Sequence, residues 1–270
     1  MDIFFLIIVL IILFILIGIF VKRRSVKIQY IKMKLSKSER KGIIESVFHK
    51  NFLFYEHLNN TFKEKLITDS YILSELIDID SIGIKITDEI KYTIFGLAGL
   101  LILGDENPDY FPNLTSVVVY PKMYISDQKG QNKSVNLGES WNFGVVVLSW
   151  CDVVNGAQNF SDGHNGALHE FAHQLDQQSG QADGIPANLN TDYYTWKNTF
   201  DKEYNNLIKE MENAEYDSID FYGTTNKAEF FAVSTETFFE KPALMKAEHP
   251  ELYNLLVRYY KIDPEKIFFR

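Results

Sequence analysis

Nineteen consecutive residues without a charge, Ile3 to Val21 (IFFLIIVLIILFILIGIFV), followed at once by Lys22-Arg23-Arg24, constrain this chain before anything else does. As a helix rising about 1.5 Å per residue they reach roughly 28 Å, against a hydrocarbon core of about 30 Å. A cleaved signal peptide would carry positive charge before the run and small residues after it. Here Asp2 precedes the run, the cations follow it, and no Ala-x-Ala-like site appears. The expectation is a single-pass transmembrane anchor over residues 3–21, within a segment 1–24. Cationic flanks tend to stay cytoplasmic. Lys22, Arg23, Arg24, Lys27, Lys32 and Lys34 all lie on the C-terminal side, which places the rest of the chain in the cytoplasm.

The 270-residue chain keeps enough length after this segment for one large domain, or for one domain with a small appendage. A formal net charge of -9 argues against nucleic acid as a partner, because a phosphate-binding surface needs clustered Lys and Arg. The one cysteine, Cys151, rules out an internal disulfide framework and suits a reducing compartment. It reads as a small buried or half-buried residue beside a strand rather than a nucleophile.

Ser36 to Phe48 reads as a helix opened by Ser36 or Ser38. Apolar residues at helical spacing continue from about Asn51 to Asp78 (Phe52, Leu53, Leu58, Phe62, Leu66), predicting a mostly helical N-terminal lobe over 25–105. Residues 82–88 alternate and read as a strand or as a turn into the next helix, Asp88 to Leu103. After Gly104 the character changes: Ser116 to Tyr120 is an apolar strand ended by Pro121, and Gly144 to Trp150 is a second. Between them Asp127 to Ser140 is polar and reads as a loop or hairpin tip. Mostly helical sequence follows, so residues 106–270 are expected to form an α+β domain with a small mixed sheet.

The chemistry concentrates in Leu168-His169-Glu170-Phe171-Ala172-His173. On a helix, His169 and His173 project from one face and can share a metal ion. Glu170, beside the first of them, can reach a water activated by that metal and act as its base. Leu168, Phe171, Ala172 and Leu175 supply the apolar face that a helix pressed into a core requires. A catalytic zinc needs a third protein ligand. The positions where the HExxHxxGxxH pattern would continue hold Asp176 and Ser179, which excludes a third histidine there. Glu229, carried among Ala228, Phe230, Phe231 and Ala232, is the best candidate, since a metal offsets the cost of burying its charge. Glu236, seven residues on, is either the rival ligand or a group that orients a histidine N–H. His164 reads as a turn histidine with metal ligation as the alternative, and Asp176 as a local brace of the helix. His49, His57 and His249 read as surface residues.

HEFAHQLD, then Gly180-Gln181-Ala182-Asp183-Gly184-Ile185-Pro186, then AEFFAVSTETFFE together resemble the gluzincin peptidases of the M90 family, the Mlc titration factor A peptidases. Val119-Tyr120-Pro121 and Val147-Leu148-Ser149-Trp150 fit the same pattern. The run from Tyr222 through Ala232 is further similar to the catalytic domain of anthrax lethal factor. The resemblance spans roughly Pro112 to Phe239 and implies a zincin-like catalytic domain. It implies that His169, His173 and Glu229 bind Zn2+, that Glu170 is general base and acid, and that Tyr222 donates to the developing oxyanion. It also implies two functions to be weighed: hydrolysis of a peptide or protein substrate, and sequestration of a transcriptional regulator. For the first, Val145 to Trp150 is a candidate edge strand for an extended peptide, with a plain core strand as the alternative.

Overall fold

The computed structural model describes residues 3–122, 144–189, 191 and 193–268, with the side chains of residues 3, 4, 8 and 11–21 outside that description. Helix α1 runs Ile3–Ser36 in one piece. Its C-terminal turns dock onto the protein through Ile31 and Leu35, both buried, whereas Phe5, Leu6, Ile7, Val9 and Leu10 are exposed. Among the described residues no helix is long and apolar enough to cross a membrane. Most side chains of the apolar run lie outside the described residues.

The expected helix at Ser36 begins later. α1 ends at Ser36, and α2 (Arg40–Asn51) starts after Glu39. A short 3₁₀ turn (Leu53–His57) and α3 (Asn60–Leu76) follow, the latter capped by Asn59, whose side chain accepts the Phe62 N–H. Strand β1 (Asp78–Ser81) lies just upstream of the alternating segment that had suggested it; Gly83, at φ +78°, turns the chain into α4. Helix α4 (Asp88–Leu100) is capped by Thr87 and is buried along most of its length. Gly96 permits this, since a Cβ there would sit 2.5 Å from Phe52 and 2.8 Å from Phe48.

Strands β2 (Ser116–Tyr120) and β3 (Val145–Ser149) join β1 in a three-stranded sheet of order β1-β2-β3. Both pairings are parallel, with Val117 opposite Val146 and Val119 opposite Leu148. The mixed sheet expected from sequence is therefore, among the described residues, parallel throughout. Parallel neighbours need a crossover, and α4 with the 101–115 segment supplies it between β1 and β2. The polar segment Asp127 to Ser140 lies outside the described residues. Val117, Val119, Val146 and Leu148 point into the core.

After β3 the chain enters α5 (Trp150–Gln158) directly, so a helix separates the strand from the motif. Cys151 sits exposed in the first turn of α5, not half-buried beside the strand. The remaining helices are α6 (Gly166–Asp176), α7 (Tyr193–Glu212), α8 (Lys227–Glu240), α9 (Pro242–Glu248), α10 (Pro250–Tyr260) and α11 (Pro264–Phe268). Phe54 stacks near Phe160 (centroids 4.5 Å) and Phe268 (5.2 Å), and Phe111 near Phe171 (5.6 Å), so one core joins the N-terminal helices to the C-terminal ones.

His249 is buried, not on the surface. It sits between α9 and α10, each opened by proline, and its ring is turned inward. Nδ1 lies 3.0 Å from Glu203 on α7 and Nε2 lies 3.0 Å from Asp217. Burial lowers its pKa, but the Asp217 and Glu203 carboxylates raise it more, to about 10. A histidine raised from about 6.5 contributes stability that is complete below that pH and is lost as pH climbs toward 10. The difference in Tm between the wild type and His249→Gln should therefore be largest near pH 6 and shrink steadily toward pH 10. A gap that stays constant across that range contradicts the ion-paired imidazolium.

Candidate metal centre

Helix α6 starts where Asn165 turns its side-chain oxygen onto the Leu168 N–H (3.2 Å), an N-cap that fixes the first turn. Leu168, Phe171 and Ala172 then face the core, which turns His169 and His173 toward α8. Helix α8 begins the same way: Asn226 accepts the Glu229 N–H at 3.0 Å. Glu229 thus lies in the first turn, where the helix dipole favours a carboxylate.

The three side chains converge. His169 Nε2 is 3.0 Å from Glu229 Oε2, His173 Nε2 is 3.1 Å from His169 Nε2, and His173 Nε2 is 3.4 Å from Glu229 Oε2. The two imidazoles stand nearly perpendicular, with centroids 4.8 Å apart. Behind them, Glu236 Oε1 takes the other nitrogen of His169 at 2.7 Å. That contact decides between the two roles open to Glu236: it orients a histidine. A proton held at Nδ1 directs the Nε2 lone pair into the centre.

These residues fit a zinc ion. Two imidazole nitrogens and one carboxylate oxygen form a ligand set of the type that catalytic zinc sites use. Pairs of Nε2 lone pairs brought to 3.1 Å also need a cation or a proton between them. The electrostatics agree. Burial disfavours charge on His169, but hydrogen bonds to Glu229 and Glu236 dominate and lift its pKa to about 10. Burial likewise pushes Glu229 up, yet His169 and His173 pull it down to about 2. The centre is built to hold positive charge.

Glu170 and Tyr222 stand at the margin. Burial raises the Glu170 carboxyl, His169 opposes this, and Glu229 and Glu236 add to it; the result is about 8. A carboxyl tuned toward neutrality can both take and return a proton near pH 7. Tyr222 belongs to a 3₁₀ turn, Phe221–Thr225, whose Asp220 cap accepts the Tyr222 N–H at 2.7 Å. Its ring centroid lies 6.1 Å from that of His169, with one side open to solvent. Burial and the charges of Glu229 and Glu170 raise its phenol, which therefore stays protonated and able to donate.

Other expectations sort as follows. His164 is exposed and faces Asp220 (3.6 Å), so it joins the turn before α6 to the Tyr222 turn and is not among the converging ligands. Asp176 is fully buried and accepts the Gly184 N–H at 3.0 Å, bracing the end of α6 against the following loop. Asn165 carries a structural task that the motif did not reveal, although an asparagine before an apolar helix is a capping signal. A second convergence, Asp217, Glu248 and His249, differs in kind, because it holds one imidazole and no second ring nitrogen meets it.

Residues 24–261 match the sequence model of the family described as glucose-regulated metallo-peptidase M90. Uncharacterized protein slr2042 of Synechocystis sp. is 38% identical over 190 residues, 66% of this chain and 68% of its own. Mlc titration factor A of Salmonella arizonae is 30% identical over 192 residues, 66% of this chain and 75% of that protein. Mlc titration factor A of Yersinia pestis is 32% identical over 159 residues, 55% and 58% of the two chains.

If Glu236 orients His169, Glu236→Ala should weaken zinc binding by about 10- to 100-fold while helix content stays unchanged. Competition with a chromophoric chelator measures this, and an unaltered zinc Kd removes the orienting role.

Proposed function

The chain belongs to the glucose-regulated metallopeptidase M90 family, and from that premise we propose that it is a zinc-dependent peptidase held at a membrane by residues 3–21. The observation that carries the catalytic part is the convergence of His169, His173 and Glu229 with Glu170 one residue from the first of them. In this reading His169, His173 and Glu229 hold the ion, and Glu236 orients His169. When bound, zinc supplies Lewis acidity, which acidifies a water to a pKa of about 7 and polarises a carbonyl.

The residues of the chain do the rest. Glu170 takes the proton of the attacking water and returns it to the departing amine, a contribution of about 10²- to 10⁴-fold. The Tyr222 hydroxyl donates to the oxygen on which charge develops, the interaction whose loss in comparable sites costs about 10²- to 10³-fold in kcat. Residues 106–270 form the catalytic unit in this proposal, and the helical lobe 25–105 backs it.

The anchor rests on the uncharged run, on the cations that follow it, and on the exposed Phe5, Leu6, Ile7, Val9 and Leu10 of a helix whose far end docks through Ile31 and Leu35. The catalytic unit then faces the cytoplasm. A second reading comes from the relatives named Mlc titration factor A: binding of a transcriptional regulator, with the metal in a structural role. Glu170 separates the two, because a structural ion has no use for a base.

On fluorogenic peptides, zinc-loaded Glu170→Gln should keep one zinc per chain and lose at least ~10²-fold in turnover. Equal turnover in both proteins rejects the peptidase mechanism and leaves the binding role. Tyr222→Phe should lower kcat by about 10²-fold with KM nearly unchanged. A fall in KM affinity alone would assign Tyr222 to substrate binding. For the anchor, full-length chain should stay with membranes through alkaline carbonate extraction, and a chain starting at Ser25 should wash off. Retention of the shorter chain overturns the assignment to residues 3–21.

A further inference from the structure

Helix α8 carries three carboxylates on one stripe, at Glu229, Glu236 and Glu240, spaced seven and then four residues apart. The first two belong to the metal centre. Glu240 is 1% exposed, close to the 0% of Phe238 and Phe239 beside it, and among the described residues it makes no ion pair. Burying an unpaired carboxylate is costly unless donors surround it. Here they do, and they all come from one place.

Glu240 Oε2 accepts the Gly163 N–H at 2.8 Å and the His164 N–H at 3.1 Å, while Oε1 accepts from the Asn165 side-chain amide at 3.0 Å. Glu236 Oε2 takes the next backbone donor, Asn165 N–H, at 2.5 Å. Two acids one helical turn apart therefore hold the whole turn that opens α6. Gly163, at φ +82°, allows that turn its shape, and Gly156 leaves room for the Asn165 side chain, since a Cβ there would lie 2.7 Å from its Cγ.

The grip reaches the metal centre through two short paths. Because the Asn165 amide nitrogen is committed to Glu240, its oxygen faces the Leu168 N–H and caps the helix one residue before His169. Because Glu240 holds Gly163 and His164, Glu236 can divide its oxygens between Asn165 N–H and His169 Nδ1. Losing Glu240 would leave the turn to Asp162, whose Oδ1 also accepts the His164 N–H at 2.9 Å, and to Glu236, which would hold it in competition with its hold on the imidazole.

We propose that Glu240 is a positioning residue of the metal centre: with Asn165 it fixes the start of α6 against α8 and so sets zinc affinity without touching metal or substrate. The proposal rests on the reading of His169, His173 and Glu229 as zinc ligands. Its chemistry suggests a polarity swap. In Glu240→Gln one oxygen becomes an NH2, which meets a donor whichever way the amide turns: the Asn165 amide on one side or the Gly163 and His164 N–H groups on the other. In Asn165→Asp two carboxylates meet. In the double variant the new glutamine donates to the new aspartate, whose other oxygen still caps Leu168.

The test uses full-length chain in detergent, with zinc affinity by chelator competition and the hydrogen bond from His169 Nδ1–H to Glu236 by ¹⁵N NMR of the metal-free protein. Each single variant should weaken zinc binding by about 10-fold or more and weaken that hydrogen bond. The double variant should return to within ~3-fold of wild type, a coupling that independent sites would not show. Single variants that lose Tm but keep zinc Kd and the His169–Glu236 hydrogen bond would make Glu240 merely structural and overturn the proposal, as would a double variant no better than the worse single. Wild type that takes up zinc while the singles match it rejects the proposal alone. Wild type that takes up no zinc rejects the metal-site reading, and the proposal with it.

Discussion

Everything at the centre depends on two helices keeping their axial register. His169 and His173 on α6 and Glu229 on α8 bring three ligand atoms within 3.4 Å of one another. A slip of one residue along either helix, about 1.5 Å and 100° of rotation, would carry at least one of them out of reach. Apolar packing alone holds register loosely, because dispersion contacts have no direction. Directional contacts supply what packing lacks: Glu236 to the His169 ring and to the Asn165 N–H, and the two asparagine caps that start the helices.

The same register creates the electrostatic character of the site. A buried imidazole stands between two carboxylates, with a third, Glu170, close enough to have its own pKa raised by them. Burial makes each of these charges expensive alone, and together they favour a cation at the point where they meet. Around His249 the same residue types give a different outcome. There a single imidazole lies between carboxylates with no second ring beside it, and the imidazolium itself is the cation. The second imidazole, His173 at 3.1 Å from His169, separates the candidate metal centre from an ion-paired staple.

The core beneath the site is aromatic and continuous. Phe171 on α6 meets Phe111, and the Phe54, Phe160 and Phe268 group ties the N-terminal helices to the end of the chain. Rigid support of this kind is what a catalytic geometry needs, since close-packed interiors transmit rather than absorb small displacements. Tyr222, by contrast, sits on a short turn open to solvent, where a substrate could reach it.

The sequence by itself determined that His169 and His173 share one face of α6, because a spacing of four is a local property of a helix. It also determined that Glu170 stands beside them, that Glu229 belongs to a helix too apolar to bury a charge without a partner, and where the strands at Ser116–Tyr120 and Val145–Ser149 run. Local signals set these. Tertiary structure decided the rest. It set Glu236 on the far nitrogen of His169 rather than among the converging atoms, made the described sheet parallel, exposed Cys151, and drew His249 inward against acids 32 and 46 residues away in sequence. Partners that distant leave no periodicity to read. Long-range contacts choose which face of a helix is buried and which acid meets which base, and only the folded chain brings those contacts together.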